Sequence, residues 1–61
     1  MKLYQKIKLN SGEYAHIVEI YKEGVAYEAD IYSNDGKTRT DTIEHSDIAC
    51  IIIEVEKPVT A

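Results

Sequence analysis

Apolar and charged side chains alternate with a period of two along much of this chain, and that period belongs to strands rather than helices. In the first segment Leu3, Ile7 and Leu9 share one parity, while Lys2, Lys6 and Lys8 share the other. This is the pattern of a half-buried strand with a lysine-bearing outer face. Asn10-Ser11-Gly12 interrupts it with residues that favour turns. Tyr14 to Tyr21, rich in Ile, Val and Tyr, reads as a second strand, and Val25 to Tyr32 as a third, joined by Lys22-Glu23-Gly24. A hairpin closed symmetrically about Glu23 and Gly24 sets Ile20 opposite Tyr27, Val18 opposite Ala29 and His16 opposite Ile31 on an inward face. Its outward face then carries Glu19 opposite Glu28 and Ile17 opposite Asp30. Glu19 and Glu28 repel each other in that arrangement, so this face is not shaped for stability alone.

Ser33-Asn34-Asp35-Gly36 is the strongest turn signal, because Asn, Asp and Gly all accept positive φ. A two-residue Asp-Gly loop and a three-residue loop ending in a glycine bulge both fit, and they differ by one step of register. The fourth strand, Lys37 to Ile43, places Thr38, Thr40 and Thr42 on one parity and Lys37, Arg39, Asp41 and Ile43 on the other. Glu44-His45-Ser46-Asp47 suits a single 3₁₀ turn. It leads into a fifth strand, Ile48 to Val55, whose run from 48 to 53 is apolar on both parities and so needs cover on both faces. Pro58 ends the ladder, and residues 57–61 read as a short tail behind a single domain of residues 1–56. The expected inward set is Ile7, Val18, Ile20, Tyr27, Ala29, Ile31, Ile43, Ile48 and one of Ile51 and Ile52.

Lys6-Ile7-Lys8-Leu9, the string from Gly24 to Ile31, Asp35-Gly36-Lys37 and Ser46-Asp47-Ile48 stand in the order of equivalent features in SH3-like barrels. Over residues 3–53 the chain resembles short bacterial SH3-like proteins of unknown function, which open with a lysine-bearing strand and carry an acidic, aromatic third strand. The resemblance implies an all-β fold, a small five-stranded SH3-like barrel with a 3₁₀ turn before the last strand. Its motifs are structural, and it carries no catalytic role with it.

With 61 residues the chain has room for one small core and no obvious staple. Cys50 is the only cysteine, so no disulfide forms within the chain. His16 and His45 lack the close spacing of metal ligands, and neither a metal nor a cofactor is expected. The longest apolar run, six residues, is far short of a membrane span, and the lysines near the N-terminus interrupt any signal-like segment. With a lone thiol as well, the expected compartment is the cytoplasm.

The net charge is −4, unevenly spread. Residues 1–9 hold three lysines and no acid, whereas residues 13–35 hold six acids against Lys22 alone. Such a balance disfavours nucleic acid, since affinity for phosphate comes mainly from Lys and Arg. Catalysis is not expected either. Cys50 lies in the most apolar run, where a free cysteine is ordinarily a small buried residue. His45, Ser46 and Asp47 are adjacent, and adjacent residues do not converge as a triad does. His16 falls on the expected inward parity.

The leading expectation is therefore a non-enzymatic interaction module. Its acidic, tyrosine-bearing face of Glu19, Tyr21, Glu28, Asp30 and Tyr32 would bind a basic protein or peptide. An immunity protein, an antitoxin or a phage-borne inhibitor suits this size and charge. The alternatives are a nucleic-acid-binding domain using Lys6, Lys8, Lys37 and Arg39, and a structural subunit that homodimerises through residues 48–53.

Overall fold

The computed structural model describes residues 1–53. The chain forms β1 (Lys6–Leu9), β2 (Tyr14–Lys22), β3 (Ala26–Tyr32), β4 (Thr38–Glu44), a 3₁₀ turn at His45–Asp47 and β5 (Ile48–Ile51). All pairings are antiparallel, in one sheet of order β4-β3-β2-β1-β5. Among the described residues β4 and β5 pair only with β3 and β1 respectively, so the sheet is open at both edges. No helix here is long and apolar enough to cross a membrane. The expected end of the last strand at Val55 and the tail at 57–61 lie outside the described residues.

One side of the sheet carries the core: Ile7, Leu9, Ala15, Ile17, Tyr27, Ala29, Ile31 and Ile43, with Met1, Ile20 and Ile48 packed against it. Val18 is not among them. The hairpin departs from symmetric closure at the turn, where Lys22 meets Ala26 rather than Val25, and a bulge at Tyr21 then brings Ile20 opposite Tyr27 and Glu19 opposite Glu28 as the sequence suggests. Between Ile17 and Glu19 the register then shifts, and Ile17 rather than Val18 meets Ala29. Val18 is the extra residue of a β-bulge, which reverses the parity of everything on the strand before it. Ala15 and Ile17 therefore turn inward with Ile7 and Leu9, and His16 turns outward opposite Asp30. The expectation of an inward His16 facing Ile31 is corrected by this bulge.

The loop between β3 and β4 resolves to the three-residue form. The Ser33 N–H donates to the Lys37 carbonyl and the Gly36 N–H to the Ser33 carbonyl, while Gly36 sits at φ +84°. That is a type I turn followed by a left-handed residue, which glycine adopts without strain. Tyr32 then pairs with Thr38, and Arg39, Asp41 and Ile43 follow Ile31, Ala29 and Tyr27 on the core side. Only Ile43 of these three is buried.

At the 3₁₀ turn, the Asp47 carboxylate accepts the Glu44 backbone N–H at 2.9 Å, as a local cap should. The fully buried Tyr27 ties this turn to the β2–β3 turn, because its hydroxyl accepts the Gly24 N–H at 2.8 Å and bonds His45 Nδ1 at 2.9 Å. In β5 a bulge at Ala49 separates the pairs Lys8–Cys50 and Leu9–Ile48. Cys50 is exposed, contrary to the expectation of a buried thiol. It stands opposite Lys8 on the outward parity of an edge strand.

Candidate functional site

The outer face of the sheet is ordered by register into rows. Lys8, Tyr14, Tyr32 and Thr38 form one, then Lys6, His16, Asp30 and Thr40, then Glu19, Glu28 and Thr42. Residues directly opposite in an antiparallel pair point to the same side with Cβ atoms about 5 Å apart, so each row is a line of neighbouring side chains. All five residues of the expected acidic, aromatic face, Glu19, Tyr21, Glu28, Asp30 and Tyr32, lie on this side of β2 and β3.

Within the face the contacts are specific. The Tyr32 hydroxyl and His16 Nδ1 are 2.8 Å apart, and the two rings meet edge to face. Thr40 donates its hydroxyl to Asp30 at 2.6 Å, which orients that carboxylate. Partial desolvation, and then the negative charges of Glu28 and Glu19, push the Tyr21 hydroxyl above its ordinary range. Tyr21 therefore stays a neutral donor beside two carboxylates. Tyr14, Tyr21 and Tyr32 are 43%, 53% and 41% exposed, enough ring surface to contact another molecule.

The same face also carries a cationic corner that was not assigned to it from sequence. Lys6 Nζ and Lys8 Nζ lie 5.4 and 5.7 Å from the centre of the Tyr14 ring, within cation–π range. His16, Tyr14, Lys6 and Lys8 are thus continuous with the acidic residues. The Ile17-Val18 doublet marks where the alternation breaks, as at a bulge, but not which of the two residues faces the core, so it does not by itself place His16.

The basic set is divided by the sheet. Lys6 and Lys8 are on the outer face, Lys37 is in the β3–β4 loop, and Arg39 is on the core side of β4. There Arg39 grips Glu13 in a two-pronged pair, Nη1 to Oε2 at 2.8 Å and Nη2 to Oε1 at 3.1 Å, and donates to Ser33 Oγ at 2.6 Å. Hydrogen bonds from Arg39 and Ser11 hold the Glu13 carboxyl down at about 2. A shallow hollow beside this pair has Leu9, Ile31 and Ile43 as its floor and Asp41 and Asp47 on its rim. Among the described residues no group of three or more His, Cys, Asp or Glu side chains is arranged to hold a metal ion.

The chain matches no family model, no curated protein and no solved structure.

Proposed function

We propose that this chain is a non-enzymatic protein-interaction module of SH3-like barrel architecture, which binds a basic protein or peptide on the outer face of β2 and β3. The architecture is supported by the meander of four strands, the return of β5 to the far side of β1 and the 3₁₀ turn between β4 and β5. The observation that carries the functional reading is the convergence of Glu19, Tyr21, Glu28, Asp30 and Tyr32 on one exposed side of a single hairpin. Three carboxylates attract cationic side chains, and two tyrosines supply contact area and hydroxyls at low entropic cost. Like charges held opposite each other at Glu19 and Glu28 weaken the free domain and are relieved by a cation between them.

Titrating the ¹⁵N-labelled domain with a lysine- and arginine-rich peptide tests this. Resonances of residues 19–21 and 28–32 should move together, and Glu28→Lys should weaken binding about fivefold or more. Shifts scattered over both sides of the sheet, or none, would dismiss the reading.

A further inference from the structure

The outer face is split by charge rather than uniformly acidic, and the split has a fixed length. Lys8 and Tyr14 share the row that ends in Tyr32 and Thr38, while Glu19 and Glu28 share a row further along β3. Tyr32 and Glu28 are four residues apart on β3, so the rows are separated by about 13 Å at roughly 3.3 Å per residue. Between them lies the row with His16 and Asp30, where the sign changes. Both lysine ammoniums sit over the one Tyr14 ring, so the positive end is focused on a spot rather than dispersed.

Resting on the reading above, we infer that the segment bound here is amphoteric: an extended stretch of a partner protein with an acidic side chain over Lys8 and Tyr14, and a basic one about four residues away over Glu19 and Glu28. An extended chain has the same rise per residue as β3, so one strand-like segment laid along the hairpin meets both ends in register. An unbroken run of basic residues still meets Glu19 and Glu28 but sets a cation against Lys8, and that repulsion makes it bind less tightly than an amphoteric segment. Attraction at one end and repulsion at the other make the face selective for charge pattern instead of charge total.

The test uses two fluorescent nonapeptides with the intact chain. One carries glutamates at one end and lysines centred four residues away; the other carries lysines throughout. By fluorescence anisotropy the amphoteric peptide should bind the wild type more tightly, by about two- to fivefold for each charge pair. Lys8→Glu should reverse the order, weakening the amphoteric peptide and strengthening the all-lysine one. Lys8→Gln should weaken the first and strengthen the second, by less than Lys8→Glu does, because it removes the repulsion without adding an attraction. Amide spectra of each variant establish that the fold is retained. An all-lysine peptide that binds the wild type as tightly, with no response to Lys8→Glu, overturns the inference and leaves the basic-partner reading standing. Failure of both peptides overturns both. Dimers that dissociate on Lys8→Glu would assign the split face to a second copy of the chain and overturn the extended-segment inference.

Discussion

The Glu13 carboxylate joins the β1–β2 loop to β4 through Arg39, and its ionisation makes that link sensitive to acid. Held at about 2 instead of the ordinary 4.5, the folded-state carboxyl stays charged where that of the unfolded chain would take up a proton. A depressed folded-state pKa gives stability that is complete above about pH 4.5 and lost as pH falls towards 2. Melting temperatures measured from pH 6 to 2 should therefore fall over that window, and Glu13→Gln should lower the plateau and flatten the acid limb. A limb unchanged by Glu13→Gln would assign the acid sensitivity elsewhere. The bulge makes an equally local prediction at two neighbouring residues. Ile17 is fully buried and Val18 only half so, hence Ile17→Ala should cost about 2–5 kcal/mol and Val18→Ala less than about 1.5. Denaturant titrations that gave the larger loss at Val18 would restore the unbulged register.

The β2–β3 hairpin shows what could be read from sequence and what could not. Alternation and turn chemistry located five strands and the 3₁₀ turn, because both signals are local. The pairs Ile20 with Tyr27 and Glu19 with Glu28 were also legible, although they are reached through a bulge at Tyr21 and not through the symmetric turn that the sequence suggests. Beyond Val18 the register depends on which inward set packs with Ile7 and Leu9 of β1, a non-local choice that alternation within one strand does not encode. His16 was misplaced for that reason. Cys50 was misplaced because an apolar run predicts cover and an edge strand does not supply it. Tyr27 was correctly read as core, yet its hydroxyl bridge from Gly24 to His45, which lies 18 residues beyond Tyr27, leaves no sequence trace. Tyr27→Phe keeps the ring and removes the bridge. The expected loss is about 1 kcal/mol by urea denaturation, with faster amide exchange at Gly24. Unchanged exchange there would show that the bridge does not hold the two turns together.

At the scale of the whole molecule the sheet has two edges, and they are unequally protected. The acidic side of the outer face was legible because β2 and β3 are neighbours in sequence. Its cationic corner was not, because it arises from the pairing of β1 with β2 across the first loop. The edges follow the same division. β4 carries Arg39 and Asp41 on its inward parity and Glu44 at its end, and charges so placed discourage another strand from adding there. β5 carries none: Ile48, Ala49, Cys50 and Ile51 run uninterrupted, with Ile51 48% and Ile53 78% exposed. An apolar edge that carries no charge among the described residues is a template for strand addition, which Glu54 and Glu56 just beyond it in sequence only partly guard. Self-association through residues 48–53 is therefore the expected behaviour, separate from the charged face. Sedimentation velocity from a few to a few hundred micromolar should show a concentration-dependent dimer. Ala49→Lys and Ile53→Lys place a charge on exposed positions and should shift it to monomer without lowering the melting temperature by more than the lost association allows. Lys8→Glu should leave that equilibrium alone. A wild-type chain that stays monomeric throughout the range, with Cys50 open to alkylation at the rate of a free thiol, would rule out association at this edge.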